Sequence, residues 1–352
     1  MLFALLALLL QTPTPRAILE AEDARVEQPD VLIQAVKSAD TTIQRLGVRA
    51  IGRLERPALA DSVRPLTTSP DARVRMEAIN ALGQMNVGFD FATLLKTETD
   101  PAVRGVIYET IGRLREVSPG TEAALISGFK DSGLPAKVGA AKGTEAFYRT
   151  HRAIKPSPET LAAIRQAFKD NTDPTLRQLV LLTLNAAADA DPEVVKLALA
   201  DPDAQVRRLG VTASKQWKDD PSYMVRYEAL RVSASCERAA ALVRDPSDHV
   251  ALLAIDMLGN KCAGVTAALE RIVDSDKDWH KQAHAIVSLA KIDPVSAQKR
   301  VGKIADHPVW QARVYAAQAA KLLKDTATLQ KLGRDNHPNR SEEHTSELQS
   351  RF

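Results

Sequence analysis

Aromatic residues are scarce. Phe, Tyr and Trp make up 4% of the 352 residues, and the strands of sandwiches and barrels draw heavily on them, so an all-β body is disfavoured. Cysteine is nearly absent: the two present, Cys236 and Cys262, are too few for a disulfide-dense small fold or a four-cysteine zinc site. Neither sign of charge dominates. The 47 Lys and Arg against 44 Asp and Glu leave a formal +3, too even for a dedicated binder of nucleic acid or anionic membrane. The apolar run Met1–Leu10 is about half of the ~20 residues that a transmembrane helix needs, so no stable span is expected. What is present is ordinary for a chain that folds: 45% hydrophobic and 26% charged residues argue against overall disorder. The length exceeds one typical compact domain, which leaves two domains or one elongated array.

Self-similarity decides for the array. Ile43-Gln44-x-x-Gly47-x-x-Ala50-Ile51-Gly52-x-Leu54 aligns with Val74-Arg75-x-x-Ala78-x-x-Ala81-Leu82-Gly83-x-Met85, and with Val103-Arg104-x-x-Ile107-x-x-Thr110-Ile111-Gly112-x-Leu114. Weaker copies start at Ala136, Leu176, Val206, Val225 and Val250, and Trp279 and Trp310 open two more. The interval from Ala136 to Leu176 is long and that from Val206 to Val225 is short. Each copy has a short apolar segment, a polar turn and then a segment with apolar residues at three- and four-residue spacing, the period of a helix. The turn often holds Asp-Pro, as at Asp100, Asp173, Asp201, Asp220 and Asp245. Proline suits a first helical turn, and the aspartate before it is expected to cap the free N–H groups. A helix pair of about 30 residues cannot bury its apolar face alone, whereas stacked pairs share one continuous core. The expected fold is all-α, an α-solenoid of about ten hairpins. The small residues Gly47, Ala78, Ala140, Gly210, Ala229, Ala254, Ala285 and Ala316 are expected where helices approach closely.

The pattern Asp-Pro-x-x-x-Val-Arg-x-x-Ala-x-x-Ala-Leu-Gly resembles the HEAT repeat, in its short bacterial form also known from phycobilisome-lyase-like proteins. The resemblance covers residues 30–339 and implies a fold more than a function. Together with the leader and Arg16–Arg25, the array also resembles the N-terminal half of acidobacterial-type proteins in which HEAT repeats precede a cyclophilin-like peptidyl-prolyl isomerase domain. That domain's Phe-His-Arg segment and glycine-rich barrel pattern are absent from this sequence.

The two ends stand apart. Residues 1–15, with the exit Gln11-Thr-Pro-Thr-Pro15, resemble a secretory leader that lacks a basic start and a small-x-small cleavage site. A periplasmic or secreted location follows, with a short first helix in a cytoplasmic protein as the alternative. Residues Arg340–Ser350 match the in-frame translation of a common sequencing-library adapter, so 340–352 are read as a non-native tail. The natural protein is expected to continue beyond Asn339, and the solenoid to occupy 16–339 with its last repeat incomplete. Such a break would expose Leu322, Leu323 and Leu329.

Candidate chemistry is thin. No Gly-x-Gly-x-x-Gly, phosphate loop or nucleophile elbow occurs, so no catalytic residue, cofactor or metal is assigned and residues 16–339 are expected to lack enzymatic activity. Arg75, Arg104, Lys137, Arg177, Arg207, Arg226 and Arg313 recur at one repeat position. A solenoid would line them up, but the balanced charge argues against a nucleic-acid groove. The preceding turns supply Asp71, Asp100, Asp173, Asp203 and Asp220, so an Asp–Arg ladder between adjacent repeats accounts for both; each surface pair of such a ladder contributes about 0–1 kcal/mol. His280 and His284 lie at i, i+4, as on zinc-binding helices, but Lys281 stands where a metalloprotease has Glu, and a surface or capping role is expected. HEAT-built di-iron hydroxylases use His-Glu pairs; the one Glu-His here, Glu343-His344, is in the tail. Tyr223, Trp279 and Trp310 occupy equivalent positions and read as packing between helices or as an aromatic stripe on a concave face. Cys236 opens one helix and Cys262 follows the next, ends that lie side by side in an antiparallel hairpin, so a disulfide is expected in an exported protein. The function that fits is a scaffold binding a protein or peptide in the cell envelope. The alternative is the non-catalytic region of a peptidyl-prolyl isomerase.

Overall fold

Short polar side chains set where the helices begin. Asp40, Asp71, Asp100 and Asp203 each accept from the two N–H groups two and three residues on, and Asp173 accepts from Leu176; these are N-caps that satisfy donors the helix itself cannot. The computed structural model describes residues 12–187, 191–233, 235–260, 262 and 264–334. Among them every regular element is helical. Most of the expected leader and the whole of the tail 340–352 lie outside the described residues, and residues 12–15 lead into a first helix capped by Thr14. The chain divides into two compact units, Met1–Ala198 and Leu199–Phe352.

In the first unit, α1 (Pro15–Asp23) precedes a series of hairpins: α2 (Asp30–Val36) with α3 (Thr41–Leu54), α4 (Ala60–Val63) with α5 (Ala72–Gln84), and α6 (Phe91–Thr97) with α7 (Pro101–Arg113). Then come α8 (Thr121–Ser127) with α9 (Leu134–Thr150), α10 (Pro158–Asp170) with α11 (Pro174–Ala186), and α12 (Pro192–Leu199). The second helix of each hairpin packs on that of the next: α3 on α5, α5 on α7, α7 on α9, α9 on α11. One apolar core runs from Ile18 through Leu32, Ile51, Leu82, Ile107, Leu125 and Phe147 to Ala187. Contacts between sequence neighbours and a shared interior define an α-solenoid. The long interval after Ala136 arises because α9 runs 17 residues and the loop 151–157 separates it from α10.

In the second unit, α13 (Ala204–Ser214) is followed by α14 (Tyr223–Val232) with no helix between them, which accounts for the short interval before Val225. Trp217 packs there against both apolar clusters of this unit, with the Arg238 guanidinium 5.2 Å from its ring centre. The hairpins then resume: α15 (Cys236–Leu242) with α16 (Asp248–Leu258), α17 (Thr266–Ser275) with α18 (Trp279–Ile292), and α19 (Pro294–Gln298) plus α20 (Val301–Ala305) with α21 (Trp310–Leu323), before α22 (Thr326–Leu332). Leu329 and Leu332 of α22 are buried, contrary to the expected open face; Leu323 is half-buried and Leu322 is 48% exposed. This helix, the last among the described residues, covers the preceding hairpin.

The repeated Gly after Ala-Leu or its equivalent has a packing cause. A Cβ on Gly52 would lie 2.8 Å from Ala81 Cα, one on Gly83 2.5 Å from Thr110 Cγ2, one on Gly112 1.9 Å from the Gly143 carbonyl oxygen, and one on Gly259 2.7 Å from Ser288 Cα. At each of these positions a side chain would collide with the second helix of the next repeat.

Candidate interaction surface

The recurring arginine sits four residues past the N-cap. That places its guanidinium back over its own turn. Arg75 donates to the carbonyls of Ser69 and Pro70, Arg207 to Asp201 and Pro202, Arg226 to Asp220 and Pro221, and Arg177 to Asn171 and Thr172. The same guanidinium also reaches into the next repeat: Arg75 to Glu98 (2.7 Å), Arg104 to Asp131 (2.6 Å), Arg207 to Asp220 (2.8 Å) and Arg226 to Asp245 (2.7 Å). The ladder therefore differs from the expected one. Asp71, Asp100, Asp173 and Asp203 are capping residues, whereas Asp220 meets Arg207 as a rung. The partner acid stands two residues before the next N-cap, where it also accepts the N-cap N–H, as Glu98 does from Asp100, Asp220 from Ser222 and Asp245 from Ser247. Asp220 and Asp245 thus do not cap from their Asp-Pro turns as expected; Ser222 and Ser247 occupy the N-cap positions.

These pairs are not surface decorations. The side chains of Asp220 and Asp245 are each 2% exposed. Burial alone would raise their carboxyl pKa, but the bonds from Arg207 and Arg226 and from the backbone more than offset it, and both are held below the ordinary 3.8. In turn, the hydrogen bonds to these carboxylates raise the pKa of Arg207 and Arg226. The rungs stop in the second unit where Ala251 and Gln282 take the arginine's place; Gln282 still donates to the Asp276 carbonyl. Lys137 holds the position in the first unit, where a lysine has no guanidinium fork to offer, and Arg313 donates to the His307 carbonyl.

Cys236 and Cys262 are bonded, with Cα atoms 5.4 Å apart, and tie the start of α15 to the turn that follows α16. The three recurring aromatics each open a helix, but they differ in surroundings. Trp279 is half-buried against the core of its unit and Trp310 is half-buried, whereas Tyr223 is 43% exposed and stacks on His249 of α16 at 5.6 Å. Tyr227, one turn on from Tyr223, is 37% exposed. His280 and His284 do not converge: His280 Nδ1 lies 2.8 Å from Asp278, and His284 Nδ1 lies 2.8 Å from Asp256 with its ring against Tyr315. No cluster of metal-ligating side chains occurs among the described residues. Tyr223, Tyr227 and His249 thus form a short exposed row across α14 and α16, and His284 with Tyr315 makes a separate, half-buried pair across α18 and α21.

Residues 29–88 match a family model described as HEAT repeats. The match covers the hairpins α2–α3 and α4–α5. No curated protein matches it in sequence. Among solved structures, an engineered protein aligns with 92% of this chain and 98% of its own at 17% identity and a TM-score of 0.34. Kap95p, from a structure concerned with its binding to RanGDP, aligns over 99% of this chain and 55% of its own at 15% identity and a TM-score of 0.48. A mutant of the karyopherin Kap121p aligns over 91% and 43% at 12% identity and a TM-score of 0.44. The chain thus spans about half the length of these two proteins.

Beside the rungs, polar side chains bridge the helices of successive repeats. Glu22 of α1 takes Arg49 and Arg53 of α3, Arg45 meets Glu77, Arg113 donates to Asn80, and Lys142 meets Glu109. In the second unit Glu228 accepts from Thr212, Lys281 meets Asp248, and Lys291 donates to Asn260. Sequence reasoning missed Glu98, Asp131 and Asp245 as rungs, and it missed Tyr227, His249 and Tyr315. The rungs had a signal, an acid two residues before the capping position of the repeat that follows each of Arg75, Arg104, Arg207 and Arg226. The surface row had none, because a solvent-facing residue obeys no periodicity that a core would impose.

Proposed function

We propose that this chain is a non-catalytic HEAT-repeat scaffold that binds protein or peptide segments, and that it works in the cell envelope. The observation that carries the binding reading is the exposed row Tyr223, Tyr227 and His249. Large amphipathic rings held on rigid helices supply contact area at small entropic cost, which is why such residues anchor interfaces. The Cys236–Cys262 bond supports the envelope, because disulfides persist in oxidising compartments.

The binding reading is tested with peptides selected by phage display against the full chain. Tyr223→Ala with Tyr227→Ala should weaken the selected peptides by about tenfold or more, the loss typical of removing interface anchors. Unchanged affinity for every selected peptide would refute the row as the binding face. A fusion to alkaline phosphatase, which folds only when exported, tests the location: activity is expected, and an inactive fusion that accumulates in the cytoplasm would refute it.

A further inference from the structure

Neighbouring helices of the first unit are joined by charge: Glu22 of α1 with Arg49 and Arg53 of α3, then Arg45 with Glu77 and Glu109 with Lys142 between second helices. The junction of α9 with α11 breaks this pattern. The end of α9 and the loop after it present Arg149, Arg152 and Lys155, while α11, Pro174–Ala186, contains no Asp or Glu. Arg149 is paired with Glu145 of its own helix at 2.9 Å. Arg152 and Lys155 are exposed and have no hydrogen-bond or ion-pair partner among the described residues. These side chains rim a crevice of about 370 Å3 whose bed is Tyr148, Ile154, Leu182, Ala186 and Ala187, with the Asn185 amide beside it. Leu182 is 40% exposed, an apolar side chain left uncovered in the middle of a helix. The size falls in the range of about 300–1,000 Å3 typical of ligand sites.

We propose that this crevice docks an acidic polypeptide segment of a partner, with an apolar side chain set on Leu182 and Ile154 and flanking carboxylates on Arg152 and Lys155. Among the described residues, three cations stand against one carboxylate there, and that carboxylate is already committed to Arg149. The missing half of the inter-repeat ion pairs is then supplied from outside. Arginine binds a carboxylate through a planar fork and lysine as a point charge, so the pair tolerates variation in the partner's backbone while requiring negative charge. A basic segment would meet repulsion, and a purely apolar one would leave both cations dehydrated without compensation. The inference rests on the polypeptide-binding reading and names the chemistry of one partner segment; it involves a different unit from the tyrosine row, so the two fail separately.

The test uses the full chain and a rhodamine-labelled peptide amide, Gly-Leu-Glu-Leu-Glu-Gly, followed by fluorescence anisotropy, with Gln-for-Glu and Lys-for-Glu versions alongside. Saturable binding of the Glu peptide is expected, weakening with added salt as rim charges are screened. Arg152→Glu with Lys155→Glu should weaken it by about tenfold or more, since two attractive contacts become repulsive. Leu182→Ser should also weaken it, whereas Tyr223→Ala with Tyr227→Ala should leave it unchanged. Both charge reversals lie on an exposed loop, and an unaltered thermal melt confirms that the variant folds. Equal affinity for the Glu and Gln peptides, indifference to the charge reversals, or absence of saturable binding would each overturn the proposal.

Discussion

Replacing Gly112 by alanine should destabilise the first unit, although the same change inside a helix ordinarily stabilises by about 0.5–1 kcal/mol. The added Cβ would lie 1.9 Å from the carbonyl oxygen of Gly143, 2.4 Å from its carbonyl carbon and 2.5 Å from its Cα. All three are backbone atoms, so no rotamer change can make room. A carbon–oxygen contact needs about 3.3 Å, and α7 and α9 must therefore part by about 1.4 Å. Separation there would also loosen the second close approach of the same two helices, where a Cβ on Gly139 would lie 2.1 Å from the Gly105 oxygen. Overpacking of this kind costs about 1–3 kcal/mol, and backbone against backbone belongs at the upper end. Subtracting the propensity gain of about 1 kcal/mol leaves a net loss of about 2 kcal/mol, or roughly 4–8 °C in melting temperature for a unit of this size. Gly302 provides the contrast, because nothing lies within 4 Å of its added Cβ. Gly302→Ala should be neutral or stabilising by up to about 1 kcal/mol. Urea and thermal unfolding followed by circular dichroism read both. A Gly112→Ala protein as stable as the parent, or a Gly302→Ala protein destabilised by as much, would refute the close helix approach as the reason for the repeated glycine.

Asp245→Ala should cost about 3–5 kcal/mol, because it leaves the buried Arg226 without its carboxylate. Replacing both partners by apolar residues should recover most of that loss, and near-additivity of the two single changes in a double-mutant cycle would show that the rung contributes nothing as a pair. All three tryptophans, Trp217, Trp279 and Trp310, lie in the second unit, so their fluorescence reports this unfolding. Acid should act on the same pairs. Since Asp220 and Asp245 have carboxyl pKa values below the ordinary 3.8, their contribution is complete above that value and is lost as pH falls through the lower, folded-state one. Asp245→Asn should therefore flatten the fall in stability as pH drops below about 4, and an acid limb identical to the parent's would contradict this. Reduction of Cys236–Cys262, which closes 26 residues of sequence, should lower stability by about 2–4 kcal/mol. Its first effect should be faster amide exchange in α15 and α16; exchange unchanged after complete reduction would show that the bond holds nothing in place.

Much of this architecture follows from one dimension. The period of apolar residues, the Asp or Ser before each helix and the recurrence near 30 residues dictate helices, their starts and their stacking, because caps and amphipathic faces are local matters and every repeat meets a near-copy of itself. The spacing of Cys236 and Cys262 was enough to bring them together for the same reason, since the ends of a single hairpin are close whatever surrounds it. Tertiary structure decided what crosses from one repeat to the next. Arg207 finds Asp220 and Arg226 finds Asp245, while Asp203 and Asp71 cap, because the length of each turn determines which acid arrives beneath a guanidinium anchored in the preceding repeat. The exposure of Tyr223 against the half-burial of Trp279, and the cover that places Leu329 inside, depend likewise on how neighbouring helices are offset. Such offsets are the sum of many small contacts, among them the glycines at which one helix touches the backbone of the next, and no single segment of sequence contains that sum.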